Sequence, residues 1–375
     1  MHDCEVLIVG GGPAGSACAG ALRRGGLDAW VLDRAGFPRD KLCAGWVTTS
    51  AMGALELDQD DYRRGRVLQE VRGFRTSRIG ERVLETRYPE VVSYGVRRCE
   101  FDHYLLARSG ARQHTAALES LRRVPGGWIV NEAIRTPLVV GAGGHFCPVA
   151  RALGAGPGER PLVAAQEIEV RLDPEQQRRC AVQGDTPELF FCRDLEGYGW
   201  LFRKQDHLNV GFGRRDPHSF PAHLQDFTRF LETSGRVPPG LPRRWPGHAY
   251  LLYQGPGRTL VADGALLVGD AAGLAHPQSG EGIGPAIESG VLAARAILSA
   301  RGRYLEEDLA PYRRALVSRL GPRPARDPFR FIPAPLHLWL GAQLLSTPRA
   351  TRHLVLDRWF LRRSQPPLTG IDPAR

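Results

Sequence analysis

Gly10, Gly12 and Gly15, in the run Gly10-Gly11-Gly12-Pro13-Ala14-Gly15, have the spacing of a phosphate-cradling turn. Gly10 would permit the tight turn, Gly12 would let backbone approach a pyrophosphate, and Gly15 would let a helix pack closely on a strand. Asp33 follows about 20 residues on, where an acid can accept hydrogen bonds from ribose hydroxyls. A second constellation lies in residues 264–300, GALLVGDAAGLAHPQSGEGIGPAIESGVLAARAILSA. Gly269-Asp270 would end a strand with a carboxylate suited to a polyol chain. Gly280 and Gly282 would open a helix whose N-terminus suits a partly anionic ring system. Candidates for proton chemistry are fewer. Cys43 could act as a proton donor or redox-linked thiol, and Lys41 beside it could lower its pKa or bind an anionic headgroup. His276, before Pro277, is a second candidate acid. Tyr198, Trp200 and Phe202 alternate as one face of a strand would, and could form an aromatic wall.

The elements that position these residues are legible from periodicity. Residues 5–9 (EVLIV) read as a buried parallel strand, a small-residue helix runs to about 24, Gly25-Gly26 can end it, and 29–32 form the next strand. Residues 265–268 form another strand, and Ile283, Ala286, Ile287, Gly290, Val291, Ala294 and Ile297 make a helical stripe. The two-residue period of 167–172 and 207–212 implies a second sheet. Helices are expected over 304–320, 336–345 and 351–363. Phe329, Phe331, Leu336, Leu338, Trp339 and Leu340 interleave there with Arg330, Arg349, Arg352, Arg358 and others. Such a segment is either a helical cap on the substrate domain or a face for an anionic membrane.

The second constellation resembles the ribityl-binding segment of FAD enzymes with the p-hydroxybenzoate hydroxylase type of fold. That resemblance implies FAD as cofactor, Asp270 on the ribityl hydroxyls and Gly282-Ile283 near the pyrimidine edge of the flavin. It also implies that Pro13, Ala14, Asp33 and Arg34 belong to the nucleotide site. Arg98-Cys99-Glu100-Phe101-Asp102, followed by Leu105-Leu106, resembles R-x-x-F-D-x-x-L, whose arginine approaches the cofactor. Val139–Gly144 resembles a G-A-D-G segment, with Gly143 in place of the aspartate, Cys147 where serine is common and Arg151 one place late. Residues 38–45 (PRDKLCAG) and 197–213 (GYGWLFRKQDHLNVGFG) resemble the geranylgeranyl reductase branch, with Ala44 and Arg203 as departures. The branch implies hydride transfer from reduced flavin to a C=C bond of a hydrophobic, prenylated substrate held by Tyr198, Trp200 and Phe202. The electron donor, NAD(P)H or another, is left open, since no second complete glycine fingerprint occurs. A monooxygenase or halogenase of the same fold, and a non-redox flavin-binding lipid carrier or cyclase, remain alternatives. The single tryptophan of Tyr198-Gly199-Trp200 weakens the halogenase reading.

Composition sets the outer bounds. The 375 residues are 42% hydrophobic and 24% charged, ordinary for a globular chain, and the apolar runs are shorter than a membrane span. Seven cysteines, odd in number and without zinc-like clustering, imply reduced thiols in a cytosol and no metal. The net charge is +10, yet 14 arginines face 6 acids over 301–375, so most of the excess sits there. Those arginines lie among large apolar residues, which argues against nucleic acid and leaves peripheral contact with the inner face of a membrane open. Only Lys41 and Lys204 are lysines, and Lys204 reads as a solvated charge at a strand end. The expected architecture is α/β. A discontinuous Rossmann-like FAD-binding domain (1–75, 96–160, 255–300) receives an inserted antiparallel β-sheet substrate domain (76–95, 161–254), and a helical basic segment (301–375) caps it.

Overall fold

The computed structural model describes residues 1–155, 162–255, 259–322 and 333–368. Val6–Val9 is buried at all four positions, as a strand covered on both faces must be. It pairs in parallel with Ala29–Asp33 on one side and with Leu138–Gly141 on the other. Arg112–Thr115 extends one edge; Ala265–Leu267 and the antiparallel Val261–Ala262 extend the other, giving six strands. Pro13–Arg24 and Ile283–Ala300 pack on this sheet with their backbones in contact: a Cβ added at Gly290 would lie 2.3 Å from the Ala14 carbonyl oxygen. That approach aligns the start of one helix with the glycine–aspartate turn that precedes the other. Ile283–Ala300 has the length and apolarity of a membrane span, contrary to the sequence expectation, yet 83% of it is buried as core.

The second sheet has seven strands, in the order Gly247–Leu251, Leu162–Arg171, His207–Arg214, Gly197–Lys204, Glu188–Phe191, Gly73–Arg78, Leu84–Arg87. All its pairs are antiparallel except Glu188–Phe191 with Gly73–Arg78. Alternation sorts the side chains. Phe190, Leu201, Val210 and Phe212 face a cluster with Phe227 of the helix Phe220–Ser234, while Leu189, Trp200 and Phe202 face the opposite way.

The α/β class and FAD-binding fold hold; three features differ from expectation. The inserted sheet begins at Gly73, because Ser93–Val96 instead pairs with Trp46–Thr48 and Leu68–Val71 in a separate three-stranded sheet. A meander over Leu121–Val124, Gly127–Val130 and Ile134–Thr136, joined by His2–Asp3, forms a fourth sheet whose strands are too short to carry a clear periodic signal. The C-terminal segment is split. Glu306–Leu320 packs on the first sheet, with Tyr312 donating to the Leu267 carbonyl at 2.7 Å, while the arm 334–361 packs on the second. Phe329, Arg330 and Phe331 lie outside the described residues.

Candidate active site

Gly10 closes the first strand at φ +115°, where a Cβ would lie 2.4 Å from the Ala142 carbonyl oxygen, so only glycine fits this turn. Gly12 caps the helix Pro13–Arg24 without any side-chain cap, leaving amide groups of its first turn for a ligand. A Cβ built on Gly12 would meet nothing within 4 Å except Arg39 Nη2 at 3.8 Å. The backbone here is open to a pyrophosphate and already faces a guanidinium. Asp33 is held over the turn: its Oδ2 accepts from the Gly11 amide at 2.8 Å and its Oδ1 from the Ala35 amide at 2.9 Å. Arg34 is exposed beside it. Arg39, which sequence reasoning missed, bridges Asp33 (4.0 Å) and Asp102 (3.8 Å) and stacks on Phe37.

Arg98 is buried and grips Asp102 through two 2.8 Å hydrogen bonds, one helical turn apart. Cys43 lies near its guanidinium, so the expected cofactor arginine and the expected thiol are neighbours. Asp270 follows Gly269, whose amide donates to Ser289 Oγ at 2.9 Å, and its carboxylate lies against Gly282 at the uncapped start of Ile283–Ala300. Two open helix N-termini, an acid above each and an open phosphate cradle fit FAD. Asp33 and the cradle suit its adenosine and pyrophosphate, and Asp270 suits its ribityl chain.

Beyond Gly282 a cavity of about 110 Å³ opens between the second sheet and the loops that carry Cys43 and Gly280–Ile283. Cys43, Gly280, Gly282 and Ile283 line one side; Tyr198, Trp200 and Phe202 line the other, and Phe360 closes it from the C-terminal arm. The wall is fixed by polar anchors. Tyr198 Oη donates to the Ser279 carbonyl at 2.5 Å, and Trp200 Nε1 donates to Asn209 Oδ1 at 2.7 Å. Gly211, paired with Trp200 across the strands, leaves the indole room to lie flat, since a Cβ there would sit 2.1 Å from the ring.

Sequence reasoning did not find the polar groups of this cavity: Glu167, His248, Tyr250 and Glu281. Burial pushes Glu167 up to about 8, Lys204 opposing and Glu169 adding to the shift. Burial, with the charges of Lys41 and Arg98, lowers His248 to about 4. Burial also raises Glu281 to about 7, although its Oε1 accepts from the Gly284 amide at 2.5 Å.

Three expectations about polar residues change. His276 does not line the cavity; it is buried beside Arg362 (Nη1 to Nδ1, 3.3 Å), and burial with nearby arginines lowers it to about 3. Its imidazolium is therefore not available as an acid at neutral pH. Lys41 is exposed rather than part of the cavity wall. Lys204, expected in solvent, is wholly buried. It donates to the carbonyls of Ala44 and Val96, both at 3.0 Å, and pairs with Glu169. It thus ties the Cys43 loop to the second sheet and to the three-stranded sheet. K204M should cost ~3 kcal/mol, because it leaves those buried carbonyls without their donor and Glu169 with Arg97 alone; a urea midpoint equal to that of wild type would show the tie to be unimportant.

A family model described as an FAD-binding domain matches residues 3–68. The chain is 30% identical over 335 residues to a chloroplastic geranylgeranyl diphosphate reductase of Oryza sativa subsp. japonica, covering 82% of this chain and 70% of that one. It is likewise 30% identical over 324 residues to a menaquinone reductase of Mycobacterium tuberculosis, covering 79% and 76%. Among solved structures, a geranylgeranyl bacteriochlorophyll reductase-like protein from Thermoplasma acidophilum matches with a TM-score of 0.74. It covers 100% of this chain and 95% of that one at 21% identity, a likeness of fold.

Proposed function

Since the chain belongs to the geranylgeranyl reductase family of FAD-dependent oxidoreductases, we propose that it adds two hydrogens across a C=C bond of a hydrophobic, prenylated substrate. The observation that carries this reading is the aromatic cavity that adjoins the Asp270–Gly282 turn. When bound, FAD in its reduced form supplies the hydride. The protein's part is to seat the cofactor and exclude water. Asp33 and the amides after Gly12 hold its nucleotide end, and Asp270 holds the chain that leads to the ring. Tyr198, Trp200, Phe202 and Phe360 press a prenyl chain into a dry slot in which an acid can act. The two relatives at equal identity carry names with different substrates, so the reading stops at a prenylated lipid and leaves its headgroup open.

Anaerobic reaction of dithionite-reduced protein with prenyl lipids and aromatic polyketides, followed by product mass, tests it. A gain of two hydrogens supports reduction. A gain of one oxygen atom, only once air is admitted, assigns the chain to oxygenation instead. C43S should keep FAD yet slow turnover by ~10²-fold if the thiol takes part in proton transfer; an unchanged rate would retire that role.

We propose that an anionic lipid surface delivers the substrate. Leu336, Leu338, Trp339 and Leu340 are exposed on Ala334–Ser346, which carries no acid, and the arginines 349 and 358 stand exposed after it. Large apolar side chains flanked by arginine suit a membrane interface of negative charge. The same arm supplies Phe360 to the cavity, so docking would set the bilayer next to the substrate wall. W339A should reduce sedimentation with phosphatidylglycerol vesicles several-fold without changing turnover of detergent-dispersed substrate. Equal sedimentation would reject the idea. Deleting the arm is a poor test, since Val355, Leu356 and Phe360 are core residues.

A further inference from the structure

We propose that the Glu167 carboxyl is the proton donor of the cavity, a role that rests on the reductase reading above. Hydride addition to a C=C bond needs a proton at the neighbouring carbon, and an alkene surrounded by aromatic rings has no water to supply it. Among the cavity-lining carboxylates, Glu281 has Oε1 held by the Gly284 amide, and its Oε2 lies 3.8 Å from the neutral His276. Glu167 is 1% exposed, and its Oε2 has no hydrogen-bond partner although it lines the cavity. A buried polar atom without a partner costs free energy, so its place in the wall calls for a ligand or a reaction.

Strand register explains how the acid is kept. Gly211 lies between Trp200 on one neighbouring strand and Glu167 on the other. Without a side chain at 211, the indole lies over that position, between its own strand and that of Glu167. His248 pairs with Ala165, diagonally across from Glu167 on the adjacent strand, and its Nδ1 also lacks a partner.

The charged and titratable groups facing Glu167 come from every surrounding element. Its own strand gives Glu169, and the strand Gly197–Lys204 gives Lys204. The strand Gly247–Leu251 gives His248 and Tyr250. Cys43, Tyr198 and Glu281 line the same cavity, while Lys41 from its exposed loop and Arg98 from its helix act on the carboxyl through their charge. The three cations favour ionisation and Glu169 opposes it, yet burial outweighs them and keeps the group protonated up to pH of about 8.

In the step, the Glu167 O–H bond breaks and a C–H bond forms at one alkene carbon. The other carbon receives hydride at the expense of reduced flavin. The substrate gains two hydrogens, and Glu167 is left as carboxylate until a proton returns from solvent.

E167Q keeps the shape and removes the proton. The FAD-loaded, dithionite-reduced protein is mixed anaerobically with geranylgeranyl diphosphate or menaquinone, and flavin reoxidation is followed from pH 6 to 10. The variant should bind FAD as wild type does and react ~10²- to 10⁴-fold more slowly. The wild-type rate should fall tenfold per pH unit above about 8, and the residual rate of E167Q should be flat. Independently of turnover, a protonated-carboxyl infrared band should titrate out near pH 8 in wild type and be missing from E167Q. An undiminished E167Q rate with reduced product formed, or a carboxyl band absent at pH 7, overturns the Glu167 role alone. Wild-type protein that reduces neither probe overturns the reductase reading together with it.

Discussion

D270A should purify as a folded protein that releases its flavin on gel filtration. The Asp270 carboxylate stands at the junction of the first sheet and the uncapped helix Ile283–Ala300, against Gly282. Hydrogen bonds from polyol hydroxyls to a charged carboxylate contribute about 1.5–3 kcal/mol each, so losing two weakens binding by at least ~10²-fold. The turn itself should survive, because Gly269 is anchored by Ser289 and not by the aspartate. Fluorescence titration of the flavin-free variant with FAD gives the number. Undiminished affinity would remove Asp270 from the cofactor site and with it the orientation of the whole cavity.

The second large effect concerns stability. Glu167 has an ordinary value of 4.5 when unfolded and about 8 when folded. Because the folded value is raised, its contribution to stability is full below pH 4.5 and is lost as pH rises toward 8. At pH 7 the shortfall is ~3 kcal/mol, at 1.36 kcal/mol per pH unit. E167Q cannot ionise, so it should be more stable than wild type by about that amount at pH 7 and equal to it at pH 4. Urea unfolding of the flavin-free proteins at both values measures the difference. A constant offset between the two curves would mean that Glu167 is solvated and ionises normally.

These two residues mark the limit of what was readable. Gly10 to Asp33 and Gly269 to Ile283 are legible because backbone turns and helix starts are local, and local spacing encodes them. The wall of Tyr198, Trp200 and Phe202 was legible too, from a period of two. Glu167 was not. Its strand alternates like any other, and only register against Gly211 and Ala165's pairing with His248 reveals what surrounds it. Lys204 was misread for the same reason: nothing in Arg203-Lys204-Gln205 says that Ala44, Val96 and Glu169 converge on it. His276 shows the converse, since proximity in sequence to Gly280 does not decide which side of a loop a ring occupies. The division of the C-terminal segment between two sheets likewise depends on packing partners distant in the chain.

Phe360 closes a cavity whose other walls are complete by Ile283, and this gives the protein a timetable on the ribosome. Strands and helices of the cofactor half are complete only at Leu320, so a nascent chain can assemble that half while its last segment is still being made. The lipid slot can close only after the arm has left the exit tunnel and folded back. A chain interrupted between those points would carry flavin in a cleft open to water and dissolved oxygen.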